Sequence, residues 1–103
     1  MLTVLDVMHL TRDRDVDGLM SALKSDDTAV RAEAAGGLGQ LGDTRATEAL
    51  VALLESDPDP YVRSVTARAL GELGAKDALL EALDWAAPGD IGAITDALRK
   101  AGS

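Results

Sequence analysis

The sequence has no cysteine and no phenylalanine, and it has one tryptophan, one tyrosine and one histidine. Without cysteine there can be no disulfide framework, thiolate metal site or catalytic thiol. With aromatics at 2%, the interior must be built from Leu, Val, Ile and Ala, which suits closely packed helices and not a β-sandwich. No apolar run is long enough to span a bilayer. The opening Met1-Leu2-Thr3-Val4-Leu5-Asp6 lacks the basic start of a signal peptide, so the expected compartment is the cytoplasm. Positive charge is also scarce. Ten Lys and Arg stand against eighteen Asp and Glu, a formal net charge of −8. Such a field repels phosphate backbones, which argues against nucleic acid as a partner.

Hydrophobic residues make up 47% of the chain, which excludes intrinsic disorder. Asp outnumbers Glu by 13 to 5 and Arg outnumbers Lys by 7 to 3. That bias matches proteins of high-salt cytoplasms, where excess carboxylate keeps the surface hydrated.

The organising feature is an internal repeat. Val30-Arg31 through Leu38-Gly39-Gln40-Leu41-Gly42 overlays Val62-Arg63 through Leu70-Gly71-Glu72-Leu73-Gly74 at an offset of 32 residues. A second kind of segment repeats too: Asp17 to Ser25 overlays Glu48 to Ser56 at an offset of 31, and Glu48 to Glu55 overlays Asp77 to Asp84 at 29. A period of about thirty residues means stacked helix pairs, in which each unit buries its apolar face only against its neighbours.

Apolar spacing places helices at about 1–10, 16–24, 28–41, 46–55, 60–73, 77–85 and from 91 to Gly102. Arg12-Asp13-Arg14-Asp15, Ser25-Asp26-Asp27-Thr28, Gly42-Asp43-Thr44, Ser56-Asp57-Pro58-Asp59-Pro60, Gly74-Ala75-Lys76 and Pro88-Gly89-Asp90 supply turns and caps. Pro60 after Asp59 reads as a first helical position behind its cap. Gly39 recurs at Gly71, which points to close approach of a neighbouring helix, whereas Gly36 and Gly37 do not recur. Leu38, Leu41, Leu50, Leu53, Leu70, Leu73, Leu79 and Leu83 are expected to be buried. The whole, residues 1–103, reads as one domain: a partial first repeat over about 1–26, repeats at 27–56 and 57–87, and a partial last repeat at 88–103.

The unit Asp-x-x-Val-Arg, an Ala-rich helix ending Leu-Gly-x-Leu-Gly, then Ala-Leu-x-x-Leu-Leu, resembles HEAT repeats, most closely the short class first associated with phycobilisome lyases. Asp27, Val30, Arg31, Leu38, Gly39, Leu41, Gly42, Asp43, Arg45 and Ala46 carry the first copy. Asp59, Val62, Arg63, Leu70, Gly71, Leu73 and Gly74 carry the second. Gly74-Ala75-Lys76-Asp77 departs from the Gly-Asp-x-Arg of the preceding unit. The resemblance implies an all-α, right-handed α-α superhelix of about three helix pairs with partial end repeats. It further implies a binding scaffold whose second helices line one face. It does not imply lyase activity, because the repeat is a stacking code without chemistry of its own.

No reactive constellation emerges from the residues. His9 stands alone where a histidine metal site needs three or four ligands, so no metal or other cofactor is expected. The Asp13–Asp17 cluster lacks the glycine and terminal glutamate of a calcium loop, and Asp57-Pro58-Asp59 sits where a helix starts; both read as caps. Gly36-Gly37-Leu38-Gly39 has neither the Lys-Ser/Thr nor the preceding strand of a phosphate loop. Trp85 and Tyr61, lone aromatics near unit boundaries, read as plugs where a repeat turns, with interface use as the alternative. Arg31 and Arg63 recur at one position and are expected to tie adjacent repeats together through loop carboxylates such as Asp27 and Asp59.

What remains is a surface. Asp17, Glu48 and Asp77 correspond across the second helices, as do Met20, Val51 and Leu80, and Lys24, Glu55 and Asp84. Their spacing of three then four puts each trio on one stripe of one helix. The expectation is an apolar row, Met20-Val51-Leu80, bordered by carboxylates with Lys24 the one basic interruption. The function this implies is non-enzymatic capture of another protein, through a basic or amphipathic segment. The competing readings are an accessory to a chromophore or cofactor lyase, and a fragment of a longer solenoid or a self-associating unit. Oligomeric state is left open.

Overall fold

The structure is a computed structural model that describes residues 1–102; Ser103, the last residue of the final expected repeat, lies outside the described residues. Among the described residues the chain is all helical. The helices are α1 (Val4–Arg12), α2 (Val16–Ala22), α3 (Thr28–Leu41), α4 (Thr47–Ser56), α5 (Pro60–Glu72), α6 (Lys76–Trp85) and α7 (Ile91–Ala101), with 3₁₀ turns at Thr44–Ala46 and Pro88–Asp90.

Helix starts follow the polar residues that precede them. Thr3 and Asp6 form a reciprocal capping box on α1, and Asp15, Asp27 and Asp59 accept backbone N–H groups at the starts of α2, α3 and α5. Gly42 and Gly74 follow the first helix of each full repeat with φ of 69° and 71°, a region that any Cβ would strain. Beyond those glycines the repeats diverge. Asp43 caps a 3₁₀ turn that leads into α4, whereas Ala75 enters α6 directly with no side-chain cap. The departure of Gly74-Ala75-Lys76 from Gly-Asp-x-Arg is thus a missing turn.

The helices form two layers. In the first, α1 packs on α3, α3 on α5 and α5 on α7; the second layer, α2, α4 and α6, lies across them. The result is a short right-handed α-α solenoid, 35 × 27 × 17 Å. Glycine sets the spacing of the first layer. A Cβ on Gly39 would lie 2.7 Å from the Ala69 Cα, and one on Gly71 would lie 2.8 Å from the Ala97 carbonyl oxygen. Any larger residue would force α3 from α5, or α5 from α7, so the recurrence of these two glycines records a packing requirement.

The core runs through both layers, with Leu19, Leu38, Leu50, Leu70, Leu79 and Ile94 wholly enclosed. Of the eight leucines expected inside, Leu38, Leu50, Leu53, Leu70 and Leu79 are buried, while Leu41, Leu73 and Leu83 are only partly buried against the core. Leu41 ends α3 and Leu73 lies just past the end of α5, where the chain turns outwards into the next helix.

Candidate functional site

Two features recur from repeat to repeat: a ladder of ion pairs along the loops, and the outer face of the second layer.

Arg31, on the first turn of α3, donates from Nε to Asp57 Oδ2 at 2.7 Å and from Nη2 to Oδ1 at 3.3 Å, while its Nη1 reaches the carbonyl oxygens of Ser25 and Asp26. Arg63 repeats the pattern one unit on, donating from Nε to Asp90 Oδ2 at 2.7 Å and from Nη1 to the Asp57 carbonyl oxygen at 2.9 Å. The three inter-repeat loops are thereby linked in series, with Asp57 as the central rung. Its side chain is only 1% exposed. Burial pushes the Asp57 carboxyl up, but the Arg31 hydrogen bonds, the Asp59 N–H and the fields of Arg31 and Arg63 outweigh it and hold the group below its ordinary value. Arg31 is correspondingly raised, chiefly by its hydrogen bonds to Asp57.

This corrects the partner assignment read from the sequence. Arg31 and Arg63 do bridge neighbouring units, but through Asp57 and Asp90. Asp27 and Asp59 are occupied as helix caps. Each cap aspartate lies on the turn before its own helix, pointing at the helix N–H groups, while the guanidinium reaches sideways to the next loop. The signal available in the sequence was that Asp57 and Asp90 follow their arginines by 26 and 27 residues, once per inter-repeat loop.

On the second layer, Asp17, Lys24, Glu48, Glu55, Asp77 and Asp84 are all exposed. Met20 and Val51 are half-buried against the core, and Leu80 is 47% exposed. None of the five carboxylates in this set takes part in an ion pair among the described residues. The three stripes are not in tight register, because α2, α4 and α6 pack on first-layer helices and make little direct contact with one another. Between the starts of α4 and α6 lies a shallow depression of about 290 Å³, lined in part by Thr47, Leu73 and Asp77.

Charge is divided between the layers. The helices of the second layer carry six acidic side chains and one basic; those of the first carry four acidic and six basic. Two of those six, Arg31 and Arg63, are the ladder cations. The outer face of the first layer is a set of shallow furrows, one lined by Ala29, Ala32, Gly36, Tyr61, Val65 and Arg68.

The lone aromatics do not plug the stack. Tyr61 is 65% and Trp85 41% exposed, because each sits at a helix end facing outwards. His9 is exposed on α1. Among the described residues no group of three His, Cys, Asp or Glu side chains could hold a metal ion, and no helix is long and apolar enough to cross a membrane.

Helix pairs stacked by a glycine seam and tied by an arginine–aspartate ladder define a solenoid scaffold, a class that generally serves protein–protein contact and is generally non-catalytic. The chain belongs to the HEAT-repeat family: the family model for HEAT repeats matches residues 16–99. Comparison with curated proteins returns no match.

Proposed function

We propose that this chain is a non-enzymatic interaction module that captures a basic, amphipathic protein segment on the outer face of its second layer. The observation that carries this reading is the set of carboxylates at Asp17, Glu48, Glu55, Asp77 and Asp84, without ion-pair partners among the described residues, around Met20, Val51 and Leu80. Among the described residues the other carboxylates are mostly ion-paired or used as helix caps, so most of the uncommitted acidic charge lies on this layer, with Asp26 and Glu33 the exceptions. An apolar centre with a charged rim is the anatomy of a modest interface. Unpaired rim carboxylates speed encounter with a cation more than they add to affinity. The spaces between α2, α4 and α6 leave room for side chains of the bound segment.

The finer assignment to the short repeats first associated with phycobilisome lyases rests on Asp-x-x-Val-Arg and Leu-Gly-x-Leu-Gly; it brings no lyase chemistry with it. The acidic surface and the Asp-over-Glu bias support a salt-rich cytoplasm as the setting.

The test is retention of partner proteins on the immobilised chain, compared with Leu80→Asp and Val51→Asp variants of unchanged helicity. Capture that is lost in both variants and weakens with salt supports the reading. Undiminished capture by folded Val51→Asp removes it.

A further inference from the structure

We infer that the cleft between α1 and α3 is a binding site for a small zwitterion, a short molecule with a carboxylate at one end and an ammonium group at the other. Arg14 points to it. Among the described residues it is the one non-glycine residue with positive φ, at 58°. Its turn repeats the one at Gly74: the Asp15 N–H donates to the Leu10 carbonyl oxygen as the Ala75 N–H donates to that of Leu70. The two full repeats place glycine at this position, Gly42 and Gly74, with φ of 69° and 71°. The first unit instead places a side chain there, although a Cβ disfavours this backbone region. Strain of this kind gathers at functional sites, where a side chain is kept for what it reaches.

Nothing within the chain uses that side chain. Among the described residues the Arg14 guanidinium makes no hydrogen bond or ion pair. Asp43 is bound by Nε and Nη2 of Arg45, and Arg14 adds no more than its field there. What Arg14 does line is a cleft of about 510 Å³, shared with Met8, Thr11, Arg12, Glu33 and Gln40, a volume in the range of small-molecule sites. Thr11 fixes the register of its walls, because a Cβ on Gly37 would run into the Thr11 hydroxyl. Met8 and Glu33 stand about one turn before that contact, and Arg12, Arg14 and Gln40 lie after it. The cleft therefore has an acidic end and a guanidinium end. Glu33, like Arg14, makes no hydrogen bond or ion pair among the described residues, so the two share one cleft without reaching each other.

The occupant follows from these charges. Arg12 is paired with Asp13, which leaves one guanidinium and one carboxylate uncommitted. A plain anion meets Glu33 and the chain's net charge of −8. A plain cation meets Arg14. A zwitterion sets its carboxylate on Arg14 and its ammonium on Glu33, and with no net charge it is not repelled by the chain as a whole. Gln40 follows Glu33 by two helical turns, about 10 Å along α3. That span calls for a short methylene chain between the two charged groups, and Met8, 51% exposed, offers it an apolar surface. The site lies on the first layer and stands apart from the capture surface proposed for the second.

The probe is ε-aminocaproate, with caproate and hexylamine as single-charge controls, titrated into the full chain and followed through its amide NMR signals. Saturable shifts are expected at Gly37 and Gln40, with each control binding about tenfold more weakly or worse. Arg14→Gly is expected to lose at least about tenfold in affinity and to melt no lower than the wild type, since glycine takes this φ without strain. Glu33→Gln should bind ε-aminocaproate no better than caproate, and Leu80→Asp on the second layer should bind like the wild type. The absence of any saturable shift up to about 50 mM overturns the inference. So does equal binding of all three probes, or an Arg14→Gly chain that binds unchanged. An Arg14→Gly chain that melts well below the wild type also overturns it, because Arg14 would then be kept for the fold.

Discussion

The two layers of this solenoid are built from equally simple residues and meet different demands. In the first layer, Gly39 and Gly71 let backbones meet, and Arg31 and Arg63 are consumed by Asp57 and Asp90. In the second, no glycine brings one helix onto the next, and the carboxylates of α4 and α6 have no ion-pair partner among the described residues. The first layer spends its polar groups on holding the stack together. The second leaves its polar groups facing water. Stability is therefore concentrated in one layer: substitutions along the first-layer seam should unfold the chain, while those on the outer second layer should leave it folded.

The sharpest break in that comparison comes from the core between the layers. Leu70→Ala, at a position with no exposure, is expected to cost about 2–5 kcal/mol, because neighbouring helices held at fixed spacing cannot collapse into the cavity. Leu83→Ala, half-buried on α6, should cost distinctly less. Urea unfolding of both variants checks the difference, and equal losses would contradict the division.

The ladder comes next. Asp57→Ala leaves Arg31 facing an emptied, largely buried site, while Arg63 keeps Asp90 and the residue-57 carbonyl; the loss is expected to be on the order of 3 kcal/mol. Its pH dependence has a definite sign. Asp57 is depressed in the folded state, so its contribution is fully present above the ordinary carboxylate value and is lost as pH falls through the depressed one. Acid unfolding of the wild type should therefore steepen below about pH 4, and Asp57→Asn should flatten that limb while lowering stability at neutral pH. Denaturant midpoints measured across the acid range distinguish the two. An unchanged acid limb in Asp57→Asn would mean that other carboxylates set it.

Glycine offers a sign test within α3 itself. At Gly36 a new Cβ would meet nothing nearer than Val65 Cγ1 at 3.8 Å, whereas at Gly39 it would meet the Ala69 backbone at 2.7 Å. Gly36→Ala should raise stability by about 0.5–1 kcal/mol through helix propensity. Gly39→Ala should lower it, since α3 and α5 must separate. Thermal melts of the pair suffice, and a destabilised Gly36→Ala would show that the furrow over Gly36 is under a constraint that the packing does not reveal.

Much of this architecture could be read from residue spacing, for a physical reason. Repetition writes each packing requirement twice, so the pairing of Gly39 with Gly71, and of Arg31 with Arg63, separates structural positions from incidental ones. Each of the seven α-helices of the described residues overlaps the segment where the apolar periodicity puts it, though α1 runs on to Arg12, expected in the turn, and α2 stops at Ala22, short of Lys24. The acceptors of the arginines were misassigned because Asp27 and Asp59 are nearer in sequence and chemically equivalent to Asp57 and Asp90. Only the direction of the guanidinium, across to the following loop, tells them apart. Tyr61 and Trp85 were misread because each occurs once, and a lone residue has no second copy to show which way it faces. The spacing between α2, α4 and α6 was equally hidden, since side-chain stripes fix a face and not the distance between helices. The proposed binding surface is legible only as a pattern of corresponding positions, and a pattern of exposure does not name what covers it.

The smallest expected effect on stability falls on the rim of the second layer, where the contrast between the layers is cleanest. Glu48 and Glu55 lie on one stripe of α4, exposed and without an ion-pair partner among the described residues. Glu48→Gln with Glu55→Gln removes two like charges from one helix face and leaves shape and helix propensity nearly unchanged. Two turns apart, roughly 10 Å along the axis, these like charges repel only weakly and are largely screened at physiological salt. The double variant should therefore unfold within about 0.5 kcal/mol of the wild type, and any change should be a gain that fades as salt is added. On the proposed binding reading the same change slows association with a basic segment and shallows its salt dependence, with little change in dissociation. Unfolding midpoints at low and molar salt, alongside association rates for the captured partner, test both halves. A clear loss of stability would show that these carboxylates help hold the stack, and would erase the separation of roles between the layers.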